Sequence, residues 1–303
     1  MTAQPPVDQA AAAAFKALRV KARAEHRGNT QPLLVVYAVE SFLRRLAISD
    51  YADRMVLKGG MLMAANSIRR MTRDADLSTH GLPNDERRVH EAVTRICALE
   101  PDPHDGVVID PSSIRTEVMR EGDEYQSVRC KQLAILGRAR IPFALDFSFG
   151  DPGQSTVIDL ESAIDRPAVR LAAYPLTLNL AEKIVTAMQR RESSTRDRDF
   201  ADLWVTSRRH RLDATELRQH ILAVASHRQQ PVIPMAEALA HMPDRQQPYA
   251  AMVARMSYQS PPPQRWSDLI VGVIGLVDPL LAATSESLSH WNPATLSWTT
   301  ATR

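Results

Sequence analysis

Residues 143–149 constrain the fold more than any other stretch. Phe143, Leu145, Phe147 and Phe149 alternate with Ala144, Asp146 and Ser148, the period-two pattern of a strand with one buried face. Two more β-rich runs precede it, around Val107–Val118 and Gln126–Leu136, punctuated by Glu121-Gly122-Asp123 and by Gly137. The middle of the chain must therefore pair strands and cover one side of them.

The flanks have helical periodicity. Ala13 to Arg27 is helical and basic, with Lys16, Arg19, Lys21, Arg23 and Arg27 against Glu25. Gly28 to Pro32 breaks it, and Asn29 or Thr30 can cap the next helix. That helix runs to about Leu46, with Leu34, Ala38, Phe42 and Leu46 on one apolar face. A short apolar run, Met55 to Leu57, precedes Lys58-Gly59-Gly60. Met61 to Ile68 then read as helix, Ala75 to Thr79 as strand and residues 84–99 as helix. Leu180 to Arg191 and Arg196 to Ser207 are helical. Beyond Leu212 the pattern is helical but uninformative, with a rigid break at Pro261-Pro262-Pro263, an apolar helix from Leu269 to Leu281 and a Ser/Thr-rich tail. The expected organisation is a basic helix over 1–30, a catalytic domain over 31–172 and an α-helical domain over 173–303.

Composition excludes several classes. The formal charge is +2, from 37 basic and 35 acidic residues, too small to mark a nucleic-acid binder without local clustering. Cys97 and Cys130 stand in no metal-ligand or redox spacing, which argues against a disulfide scaffold or zinc site and fits a reducing compartment. With no signal core and no apolar run near the ~20 residues of a membrane span, the expectation is a cytoplasmic protein.

Chemistry concentrates at Gly59-Gly60 and Asp74-Ala75-Asp76-Leu77. On a strand, Asp74 and Asp76 point to the same side. Two such carboxylates repel unless a cation lies between them, and Mg²⁺ (or Mn²⁺) suits one or two carboxylates plus phosphate and water. Two glycines ahead of a helix allow close approach of an anion to backbone N–H groups. Together the two halves match metal-assisted phosphoryl transfer. Asp146, on the polar face of the Phe143–Phe149 strand, is the best third carboxylate. Asp151 and Asp159, in turn-like sequence, are weaker. Each piece alone has a plainer reading: a solvated turn for Asp-x-Asp, a turn for Gly-Gly, an edge charge for Asp146.

Further on, Asn179 and Glu182 have the spacing of a capping box, which places Lys183 in a first helical turn. The helix dipole disfavours a cation there, so a compensating anion is expected, a nucleoside triphosphate or simply neighbouring acids. In Arg196-Asp197-Arg198-Asp199-Phe200-Ala201-Asp202-Leu203-Trp204, Arg198 and Asp202 can form a helical ion pair.

In this order the segments resemble the AbiEii/MenT group of nucleotidyltransferase-like toxins. The residues are Val56-Leu57-Lys58-Gly59-Gly60, Arg70-Met71-Thr72-Arg73-Asp74-Ala75-Asp76-Leu77, Ala144 to Asp151, Leu180-Ala181-Glu182-Lys183 and Arg198 to Trp204. The resemblance implies an α+β fold, a polymerase β-like nucleotidyltransferase domain with a mixed sheet followed by an α-helical C-terminal domain. It implies a toxin that moves nucleotides from a nucleoside triphosphate to the tRNA acceptor end, with a cognate antitoxin as partner. Carried over by position, Lys58, Gly59, Gly60, Arg73 and Arg198 bind substrate, Asp74 and Asp76 hold Mg²⁺ with Asp146, Lys183 contacts the triphosphate, and Asp199 or Asp202 is an essential acid.

Many members of the wider superfamily have Gly-Ser where this chain has Gly59-Gly60, so a hydroxyl contact to phosphate is replaced by backbone N–H groups. The resemblance also makes Thr72 a candidate for phosphorylation by the antitoxin, which would add about −2 charge beside the metal acids. A tRNA acceptor needs a basic surface; the Lys16–Arg27 helix and the Arg190/Arg191 and Arg208/Arg209/Arg211 clusters can supply it. Alternatives are transfer to a protein or small molecule, a metal-dependent glycosyltransferase, and a non-enzymatic module that binds nucleotide or antitoxin.

Overall fold

The computed structural model describes residues 6–66, 74–121, 125–150, 154–256, 260–282 and 287–300. Thr72 and Arg73, singled out by the resemblance, and Asp151 lie outside them. The chain divides into two compact units, with the main boundary between Ala173 and Tyr174.

The first unit is built on a mixed sheet. Its strands are β1 (Met55–Lys58), β2 (Asp74–Thr79), β3 (Val107–Ile109), β4 (Arg115–Glu121), β5 (Tyr125–Leu136), β6 (Ala139–Phe149), β7 (Thr156–Leu160) and β8 (Val169–Ala173); seven follow the order β3-β5-β6-β2-β1-β8-β7, and β4 pairs β5 off that path. The β2–β6 and β1–β8 pairs are parallel and the rest antiparallel. The run Val107–Val118 is not one strand. A 3₁₀ turn at Pro111–Ser113, capped by Asp110, splits it into β3 and β4, and both pair with the long β5.

β6 follows its alternation: Ile141, Phe143, Leu145 and Phe147 are buried, while Ala144, Asp146 and Ser148 are partly open. Helix α2 (Gln31–Ala47) packs on β6 and β8, and α4 (Glu86–Cys97) on β4 and β5. Leu34, Ala38, Phe42 and Leu46 of α2, with Val89, Val93 and Ile96 of α4, join the core. Thr30 takes the α2 N-cap position without a side-chain cap, and Asn29 accepts from the Gln31 N–H at 3.3 Å. Helix α1 (Pro6–Glu25) packs against α2 and β5. A buried Arg45–Asp105 pair at 3.1 Å, with Ser41 donating to Asp105 at 2.6 Å, pins the segment before β3 to α2. Both cysteines are buried free thiols, and burial pushes each up to about 12, far from the reactive range.

Two sequence expectations are corrected in this unit. Asp159 is not in a turn but on β7, exposed and 3.7 Å from Arg170 of β8. Helix α3 (Gly59–Ala65) starts at the glycines rather than after them, and the last two residues of the expected helix, 67 and 68, lie outside the described residues.

The second unit contains α5 (Leu176–Arg190), α6 (Asp197–Ser207), α7 (Ala214–His227), α8 (Met235–Ala238), α9 (Gln246–Arg255) and α10 (Trp266–Leu281). Trp266 is the hub for α6, α9 and α10. Its ring lies 5.5 Å from both Phe200, edge to face, and Tyr249, an arrangement that adds to plain burial. Tyr249 donates to the carbonyl of Pro263, which ties the proline break to α9. The Ser/Thr-rich tail is not a loose end. It forms a hairpin of β10 (Leu288–Asn292) and β11 (Ser297–Thr300), which β9 (Leu212–Asp213) extends to three strands. Trp291 and Trp298 stack edge to face at 5.4 Å, donating to the carbonyls of Ser207 and Leu276. No helix among the described residues is long and apolar enough to cross a membrane.

Candidate active site

In the first unit the site is a line of charge drawn by strand register. Lys58 on β1 stands opposite Asp76 on β2, and Asp76 beside Asp146 on β6. Asp146 stands opposite Arg129 on β5, and Arg129 opposite Glu117 on β4. Register partners share a sheet face, so five charged side chains cross the sheet in one row, with Asp74 two residues along on the same side.

At one end of the row the β1–α3 turn meets Asp76. Gly59 has φ +63°, and a Cβ there would land on Asp76 Oδ2 and 2.6 Å from its Cγ. Glycine is thus required twice, by conformation and by space. Gly60, buried, donates its N–H to Asp76 Oδ2 at 3.4 Å. The helix start expected to face phosphate therefore faces the Asp76 carboxylate here, an anion the positive helix end favours.

Toward the other end, Arg129 grips Asp146 with two parallel bonds, Nε to Oδ1 at 2.7 Å and Nη2 to Oδ2 at 2.6 Å. The Asp146 bonds, outweighing partial burial, raise the guanidinium pKa further, as do the charges of Asp74 and Glu117. Arg129 was missed by sequence reasoning. Its signal was present, because it lies between buried Val128 and Cys130 and so must face the side opposite the core.

Asp74, Asp76 and Asp146 are hard oxygen donors on one face, with Asp76 and Asp146 on adjacent strands about 4.8 Å apart. Their oxygen-donor chemistry fits Mg²⁺ or Mn²⁺. They are not drawn together: among the described residues no three His, Cys, Asp or Glu side chains gather closely enough to hold a metal ion, and Asp146 is engaged by Arg129.

A second charged cluster lies in the second unit. Helix α5 begins at Leu176 after Pro175, so Asn179 is inside the helix and no capping box forms. Lys183 is not in the first turn but about two turns in, and it is buried. Its compensating anions are protein carboxylates. Nζ donates to Asp199 Oδ1 at 2.7 Å and lies 3.0 Å from Asp202 Oδ2. Asp199 also accepts from Arg196 Nε at 2.5 Å. Burial pushes the Asp199 carboxyl up, but Lys183 and Arg196 together outweigh it and hold it at about 2. Asp202 is wholly buried and turned to Lys183, so the ion pair anticipated with Arg198 does not form. Arg198 is exposed. Asp197, on the same helix, pairs instead with Arg245 at 2.6 Å.

A mixed sheet, a glycine turn fitted to a carboxylate and a row of acids on the sheet face are features of the nucleotidyltransferase class. Residues 41–270 match the model of a family described as nucleotidyl transferase AbiEii toxin, type IV TA system. The chain belongs to this family and is a toxin nucleotidyltransferase. Its fold is similar to that of MenT4, the nucleotidyltransferase toxin Rv2826c from Mycobacterium tuberculosis H37Rv. The TM-score is 0.54 and the identity 16%, over 91% of each chain. JHP933 from Helicobacter pylori is more distant, with a TM-score of 0.41 and 14% identity over 69% of this chain and 87% of that one. No curated relative matches the sequence.

Proposed function

We infer that this toxin transfers a nucleotide from a nucleoside triphosphate to the 3′ acceptor end of tRNA, in a divalent-cation-dependent reaction carried by Asp74 and Asp76. The observation that supports the site most is the fit between Gly59 and Asp76: the turn takes a left-handed conformation open to glycine and forgoes a side chain so that one carboxylate can lie against it. Asp146, in register beside Asp76, is the third acid of the set.

In this reading the acceptor hydroxyl attacks the α-phosphorus, a new P–O bond forms, and pyrophosphate departs. A bound Mg²⁺ would supply charge neutralisation at the phosphates and at the attacking and leaving oxygens. Asp74 and Asp76 would hold that ion, and Gly59 and Gly60 would let the backbone approach a phosphate of the substrate. Lys58, Arg73 and Arg198 are assigned to substrate binding. Lys183 is assigned to the triphosphate, with Asp199 and Asp202 as the acids that orient its ammonium. Nucleotides added to the tRNA 3′ end would block aminoacylation and so translation, and a cognate antitoxin would restrain the enzyme, with Thr72 as one point of control.

The test is incubation with total tRNA, Mg²⁺ and each α-labelled nucleoside triphosphate in turn, beside Asp76→Ala. Label in tRNA that depends on Asp76 supports the reading and names the nucleotide. Label in protein or a small molecule instead keeps the chemistry and removes the tRNA assignment.

A further inference from the structure

The Arg129–Asp146 pair stands where a metal ligand is expected, and it uses both oxygens of that ligand. A guanidinium is planar and two-pronged, the protein cation best shaped to occupy a carboxylate in this way. A divalent cation reaching Asp146 needs the same lone pairs, at about 2.0–2.1 Å for Mg²⁺. The two cations cannot both have them in full. The pair is also partly open, with the side chains about a third and a fifth exposed, so Arg129 is not locked in place by packing. Other acids lie within reach of its charge, since Glu117 is its register partner on β4 and Asp74 acts on it electrostatically.

We propose that Arg129 is an internal counter-cation that competes with the divalent metal for Asp146, so that loading of the acidic row requires the guanidinium to turn away. This rests on the assignment of Asp74, Asp76 and Asp146 as metal-holding acids. Arg129 is thus a positioning residue: it keeps three neighbouring carboxylates from repelling one another before metal arrives, and it sets how tightly the metal binds. Once released, it retains a charged fork suited to phosphate oxygens, one strand away from the acids.

Titration of the full chain with Mn²⁺, reading free Mn²⁺ by electron paramagnetic resonance, tests this without reference to activity. Arg129→Gln should bind Mn²⁺ about tenfold more tightly than the unaltered protein, and adding Asp146→Asn should abolish the gain. Arg129→Lys, which keeps the charge but loses the fork, should fall between. The melting temperature gives a second measure: Mn²⁺ should raise it more in Arg129→Gln than in the unaltered chain, and Arg129→Lys provides the same comparison if the glutamine variant does not fold. Binding that depends on Asp76 but is unchanged or weaker in both Arg129 variants overturns the proposal alone. Absence of Mn²⁺ binding in every variant overturns it together with the metal-site reading.

Discussion

At the scale of single residues, Asp76 and Lys183 separate loss of chemistry from loss of fold. Gly59→Ala forces a side chain onto the Asp76 carboxylate at positive φ, so nucleotide transfer should fall sharply, with a stability loss of about 1–3 kcal/mol; transfer assays and thermal melts check both. Asp76→Ala should abolish transfer while leaving the melting temperature within a few degrees, because the residue is only partly buried. Lys183→Ala should also abolish activity, but by leaving Asp202 buried without this cation, and Asp199 with Arg196 alone, it should destabilise the fold by about 3–5 kcal/mol. A toxicity screen alone would therefore confuse the two. Asp199 also makes stability depend on pH. Its folded pKa of about 2 lies below the ordinary 3.8, so its contribution, roughly 2 kcal/mol, is full above about pH 4 and is lost as the pH falls toward 2. Denaturant unfolding of Asp199→Asn should be flatter than that of the unaltered protein across that interval.

Elements were legible where the signal was local. The Phe143–Phe149 alternation became β6 because a strand with one face on a helix layer must repeat every two residues, and Phe147→Ala, which empties a fully buried position there, should cost about 3–5 kcal/mol in chemical denaturation. The start of α5 was misplaced because Asn179 and Glu182 have capping-box spacing, yet Pro175 already sets a helix entry and the burial of Leu178 and Leu180 carries the helix back to Leu176. The C-terminal hairpin was missed since its strands are short and polar, and what holds them is tertiary: two tryptophan N–H groups reaching carbonyls far along the chain. The site divides in the same way. The pairing of Asp74 with Asp76 is a property of one strand and could be read directly. The row from Lys58 to Glu117 depends on the register of five strands, which no local pattern encodes. Arg129 was invisible for that reason, although its own alternation was in plain view.

At the scale of the molecule, the family and the fold agree with each other, and the near-neutral charge leaves nucleic-acid binding to local surfaces. Helix α1 offers one: Lys16, Arg19 and Arg23 are exposed and spaced to share a face. If that face tracks the tRNA backbone, replacing Arg19 and Arg23 by Gln should lower the slope of log affinity against log salt by about one for each charge removed. An unchanged slope would return the stripe to solvent. The central claim, transfer of a nucleotide rather than of a terminal phosphate, is tested most directly by supplying tRNA with the same triphosphate labelled in parallel at the α and γ positions. The account predicts that α-label enters tRNA at its 3′ end and γ-label leaves with pyrophosphate, both lost in Asp76→Ala. Entry of γ-label into the acceptor, or transfer that survives the loss of Asp76, would contradict it.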